Sequence, residues 1–223
     1  MPRFSFDSDV QVLLPDGQTR SLTAYLIPSF LLMLGGLLLI ISIFQPYWSM
    51  TMFAPQYPQG LKVDVYVNQL AGDVREIDSL NHYLGMPSLD EGGQLERSIS
   101  ALAIITLGLL LLAGVFVHNK WAALLALPAL LFPFVFLADL AFILYQYGHS
   151  IDPQSPLGGA IEPFMPPLLG KGMVGQFETM ASAEPGLYLA FVALVVILIG
   201  LWFHRAAYKP VLDARAAVAK GSA

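Results

Sequence analysis

Four long apolar windows constrain this chain more than any other feature of it. Leu22–Phe44, Ile99–Val117 and Gly186–Phe203 carry no charge, and Trp121–Tyr147 carries a single one, Asp139. Each reaches or exceeds the roughly 18 residues that cross a hydrocarbon core as a helix. In lipid the backbone has no water to bond with, so a spanning segment must satisfy its own N–H and C=O groups. Composition agrees: 12% of the residues are charged, against roughly 25% in an average soluble domain. The expected fold is an all-α membrane protein with four transmembrane helices, at 22–44, 98–118, 121–147 and 185–204. No A-x-A-like cleavage site accompanies the first window, which therefore reads as a retained span and not a signal peptide.

Charge orients the spans. Residues 1–21, the connection at 118–120 and the tail at 205–223 hold seven Lys and Arg, whereas the longer segments 45–97 and 148–184 hold four (Lys62, Arg75, Arg97, Lys171). The positive-inside rule then places both termini in the cytoplasm and the two long loops outside. Trp48, Trp121 and Trp202 fall near window ends, as interfacial aromatics do. The absence of cysteine excludes disulfides, thiolate metal sites and covalent c-type haem. A net charge of −5 offers no basic patch for nucleic acid. No P-loop, HExxH, dinucleotide fingerprint or nucleophile–base pair stands in the soluble segments, which argues against an enzyme in its own right.

Within 1–21, alternation around Val10, Val12 and Leu14 followed by Pro15-Asp16-Gly17 predicts a short hairpin, and Ser21 is placed to cap the first span. Gly35-Gly36 removes side chains mid-span and invites close approach by another helix. The first outer loop, 45–97, predicts a small α+β cap. Pro55 and Pro58 hold an extended arm. Lys62–Asn68 alternates as a half-buried strand, and Asp73 caps a short helix whose apolar positions are Val74, Ile77, Leu80 and Leu84. Gly85 should end that helix in the left-handed conformation. The second outer loop, 148–184, is rich in Pro and Gly but also in Leu, Met and Phe. It reads as a lid docked on the membrane surface or a partner and not as a free linker.

Three sets of residues carry candidate chemistry. Asp139 is a carboxyl inside a span, where charge is costly, and it suits a proton path, a quinol hydroxyl or an interhelical hydrogen bond. Met50, Met52, His82 and Met86 are candidate copper ligands, because thioethers suit Cu(I) and imidazole suits either copper state. Methionine is also ordinary apolar filler. His118 and His204 lie at inner helix ends, where a bis-histidine b-type haem is conceivable but plain interfacial histidines are the commoner case. Trp48, Tyr57, Leu61, Tyr83 and Phe164 are the candidate interface residues.

The stretches Ala54-Pro55-Gln56-Tyr57-Pro58-Gln59-Gly60-Leu61 and Leu80-Asn81-His82-Tyr83-Leu84-Gly85-Met86 carry a resemblance. Together with the four-span layout, the chain resembles the NosB-type bacterial membrane proteins encoded beside nitrous-oxide reductase in the atypical (clade II) clusters. That resemblance implies the cytoplasmic membrane of a bacterium, with the two outer loops in the periplasm. It also implies a periplasmic copper enzyme, nitrous-oxide reductase, as partner. Three roles follow: an anchor that docks the enzyme, a copper-handling protein that loads it, and quinol-linked electron delivery; for the last, an accessory subunit of a quinol-oxidising complex, the intramembrane Asp139 and not the resemblance supplies the candidate residue. Because the natural chain has no cysteine, single cysteines report its topology directly. Asp90→Cys and Asp152→Cys should react with an impermeant maleimide on intact spheroplasts, and Asp213→Cys only after lysis; the reverse pattern would overturn the orientation.

Overall fold

The computed structural model describes residues 11–13, 19–119, 121–156, 158–160, 162–174 and 177–221. In chain order the elements are β1 (Gln11–Leu13), β2 (Thr19–Ser21), α1 (Thr23–Ser42), β3 (Trp48–Ala54), β4 (Tyr57–Val65), β5 (Leu70–Gly72), α2 (Val74–Leu84), α3 (Gln94–Phe116), α4 (Trp121–His149), a 3-10 turn at Gly158–Ala160, β6 (Gly170–Val174), β7 (Phe177–Ala183) and α5 (Pro185–Gly221). Among the described residues, four helices are long and apolar enough to cross a membrane: α1, α3, α4 and the Pro185–Asp213 part of α5. That is the make-up of a multi-pass membrane protein. The chain falls into two compact units, one of Met1–Leu38, Thr106–Leu130 and Val192–Ala223, the other of Leu39–Ile105 and Leu131–Phe191.

The first unit packs through small residues. A Cβ built on Gly35 would stand 2.5 Å from the Ile197 side chain, and one built on Gly36 would stand 3.6 Å from the Gly108 Cα. Ala122, Ala126 and Ala129 are buried at helical spacing on α4. Small side chains let helix backbones approach, and in lipid that close packing replaces the hydrophobic drive. The expected hairpin is β1 against β2, with Val12 opposite Arg20; its Pro15-Asp16-Gly17 turn lies outside the described residues. Ser21 closes β2, and the Leu22 carbonyl opens α1 by accepting from the Tyr25 and Leu26 amides; the expected side-chain cap at Ser21 lies outside the described side chains. Between α3 and α4, Asn119 caps with its side chain, accepting from the Trp121 amide at 2.9 Å.

The second unit departs from the expected cap. In place of the single expected strand it holds, among the described residues, a five-stranded antiparallel sheet, ordered β5-β4-β3-β7-β6, while the expected short helix is present as α2. The arm expected to be merely extended around Pro55 and Pro58 is the turn after β3 and the start of β4, and β3 itself is paired on both sides. The expected strand 62–68 starts earlier and ends at Val65. The segment read as a lid supplies β6 and β7, and β7 pairs with β3, Met50 opposite Ala181. Two loops distant in sequence therefore build one sheet. Alternation explains the core: Trp48, Met50, Met52, Leu61, Val63, Val174, Phe177 and Ala181 are buried in one cluster with Ile77 and Leu84 of α2, Met86, and Leu140 and Leu144 of α4.

Local chemistry fastens the corners. Gly85 ends α2 at φ 74°, the left-handed region that Gly adopts without a Cβ clash. Asp73 stands at the head of α2 without capping it; its carboxylate accepts from the Lys62 amide at 2.8 Å, tying the helix start to β4. The Asp78 carboxylate holds the following turn through Ser88 Oγ at 2.9 Å and the Leu89 amide at 2.6 Å. From the second loop, the Asp152 amide donates to the Gly85 carbonyl at 2.8 Å, and Trp48 Nε1 donates to the Leu168 carbonyl. Tyr47 is fully buried, its hydroxyl 2.6 Å from Ser42 Oγ. Burial pushes that phenol up to about 12, against the opposing pull of the Ser42 bond, so it stays a neutral hydrogen-bonding group.

Gly35 and Gly36 test the packing of the first unit. Gly35→Val should lower stability in detergent by about 1–3 kcal/mol, as overpacking does, with partial recovery on adding Ile197→Ala. Gly36→Ala, which meets only ordinary contact distances, should cost less. Equal melting temperatures for Gly35→Val and the parent would contradict this packing.

Candidate functional site

Period-2 alternation that buries one sheet face turns the other outward. On it, cross-strand pairing sets Phe53 beside Glu178 and Glu178 beside Met173; in the next row Thr51 stands beside Met180 and Met180 beside Lys171. Met173 and Met180 are 53% and 50% exposed, and Phe53 is exposed as well. Lys171 Nζ lies 3.7 Å from Glu178 Oε1, a surface pair worth little to stability. β6 pairs with β7 alone, so its outer edge keeps a row of backbone groups unpaired within the sheet. Flexible, polarizable thioethers around one aromatic ring, bordered by one charge of each sign, make an adaptable contact surface.

The same unit encloses a cavity of about 350 Å³ between the sheet, α3 and α4. From α4 it takes Phe132, Phe136, Asp139, Ile143 and Tyr147, and from α3 Glu96, Ser100 and Ala103, each set on one face of its helix. Trp48, Met50, Val63 and Val65 close it from the sheet. Asp139 thus shares a mostly apolar space with Glu96, and no hydrogen bond to either carboxyl is seen among the described residues. The other polar groups around it are mostly engaged. Ser100 Oγ donates to the Val67 carbonyl at 2.6 Å. Tyr147 has a side-chain hydrogen bond with Asn81. Arg97 is held by the Asp90 carbonyl and by its carboxylate at 3.5 Å, while its Nε is buried with no partner among the described residues.

In the first unit, His118 and His204 lie nearly parallel, ring centroids 6.4 Å apart. Tyr208 stands against both, at 4.4 and 4.7 Å. Arg205, Lys209 and Asn119 border the same hollow.

The copper candidates separate. Met50, Met52 and Met86 belong to one apolar core, whereas His82 is on the exposed side of α2 with its ring against Tyr83. Gly85 ends the helix between His82 and Met86 and sends the chain in a new direction, so the two do not share a face. Among the described residues no group of three His, Asp or Glu side chains comes together. The interface candidates separate too. Trp48 and Leu61 are core, Tyr57 and Phe164 pack half-buried against it, and Tyr83 is 60% exposed.

Sequence reasoning missed Glu96, Ser100 and Ala103 as companions of Asp139, and Phe53, Met173 and Met180 as a surface. The signals were present. Gly93, Glu96, Ser100 and Ala103 recur at helical spacing, and Phe177–Ala183 (FETMASA) alternates apolar and polar. A scan against protein-family models finds no match, and neither does a search of the curated proteins.

Proposed function

We propose that this chain is a membrane anchor that docks an extracytoplasmic redox protein. Nitrous-oxide reductase is the partner the resemblance points to, and the cytoplasmic membrane of a bacterium is the setting, with both termini inside. The observation that carries the reading is the outward sheet face, with Phe53, Met173 and Met180 exposed beside the open edge of β6. A partner can extend such an edge by strand addition and bury the methionines at its centre. Core packing accounts for Met50, Met52 and Met86, so docking, and not copper delivery, is the role carried forward.

Purification of the tagged full-length protein from a native membrane, gently solubilised, should co-isolate the enzyme. Placing carboxylates at the centre of the surface, as Met173→Glu with Met180→Glu, should weaken capture at least tenfold, the scale of losing one or two central contacts. The protein should otherwise stay folded, because both positions face solvent. Equal recovery of nitrous-oxide reductase with parent and variant, or none with either, would defeat the proposal.

A further inference from the structure

The cavity around Asp139 has the make-up of a small-molecule site that has not been accounted for. Ligand sites are mostly apolar concavities with a few convergent polar groups, and this one has apolar walls with two carboxyls among them. A carboxyl in a span carries a heavy desolvation cost and marks a functional position by default. Two in one space are harder still to explain as packing.

The walls say what kind of molecule fits. Trp48, Phe132, Phe136, Tyr66 and Tyr147 supply aromatic rings around the cavity, and offset or edge-on ring contacts favour a flat aromatic guest. The carboxyls of Asp139 and Glu96 accept hydrogen bonds, so the guest should bring donors. Access comes from the apolar flank. Ile99 and Val135 line the cavity while 52% and 60% exposed, on helices long and apolar enough to cross a membrane. The volume holds a substituted ring and the start of a tail, not a whole phospholipid.

We propose that this cavity binds the head of a lipid-soluble aromatic alcohol with two hydroxyls, the chemistry of an isoprenoid quinol, entering from the bilayer with its hydroxyls toward Asp139 and Glu96. The proposal concerns binding alone and stands or falls independently of the docking face, because none of Phe53, Met173 and Met180 lines the cavity.

Trp48 is a built-in reporter. In full-length protein in phosphatidylcholine nanodiscs, with Trp121→Phe and Trp202→Phe leaving Trp48 as the sole tryptophan, decylubiquinol should quench fluorescence saturably. Its dimethyl ether, which keeps the ring and tail but has no hydroxyl to donate, should bind at least tenfold more weakly. Asp139→Leu should weaken quinol binding about tenfold, as expected when one buried hydrogen-bond partner is removed. Ala103→Phe, which fills the cavity, should abolish it, with circular dichroism confirming that each variant is folded. Adding phosphatidylethanolamine should leave the affinity unchanged. Linear, non-saturating quenching, equal binding of quinol and ether, or displacement by phosphatidylethanolamine would each overturn the assignment, the last by giving the site to a lipid ammonium.

Discussion

The pairing of β3 with β7 is the interaction on which the rest of the sheet-bearing unit depends. It runs from Trp48 opposite Ala183 to Phe53 opposite Glu178, joining residues on two different loops. Closing so long a loop costs conformational entropy that grows slowly with length, and the ladder alone would not offset it. The buried face supplies the remainder: Met50, Met52, Phe177 and Ala181 leave water together against α2 and α4. At the base of the pair, Ser49 Oγ donates to Glu184 Oε1 at 2.6 Å, the Glu184 amide donates to the Tyr47 carbonyl, and the Gly186 amide to that of Pro46. A side chain at Gly186 would strike the Tyr47 ring, with 2.4 Å to the nearest carbon. The ends of β3 and β7 are thus fixed where the chain leaves α1 and enters α5.

That pairing also produces both candidate surfaces. One face of the sheet forms a wall of the Asp139 cavity, through Trp48, Met50 and Val63. The opposite face presents Phe53, Met173 and Met180. Strand period does this without further instruction: a one-residue slip of β7 against β3 would bury Glu178 and Met180 and expose Phe177 and Thr179. A burial pattern so sensitive to register specifies one pairing strongly.

Much of this was legible from the chain. Four charge-free or nearly charge-free windows became four long helices because the backbone in lipid has one cheap solution. Gly85 and the Val74–Leu84 spacing announced α2, and Gly35-Gly36 announced a close helix contact. The rest was hidden for physical reasons. Gly170, Gly172 and the surrounding prolines make β6 look like part of an irregular lid, and only its partner β7 makes it a strand. Asp73 has the right chemistry for a cap but found a better-placed donor in the Lys62 amide. Met50-x-Met52 suits a soft metal and a strand core equally, because spacing of two puts both side chains on one face in either case. Asp139 was visible as a single unusual residue; Glu96, on the preceding helix, became its companion only once α3 and α4 were set side by side.

The pairing of the two loops is open to a direct chemical test, since the chain has no cysteine of its own. Thr51 and Met180 stand opposite each other, and directly opposed residues of antiparallel strands lie about 4.5–5.5 Å apart at Cα, within disulfide range. Full-length protein carrying Thr51→Cys and Met180→Cys should cross-link rapidly under mild oxidation in the membrane, shifting its mobility in a way that reductant reverses. Failure of that pair to cross-link, while Thr51→Cys joins a cysteine placed at another position of the second loop, would contradict the sheet and with it both surfaces built on it.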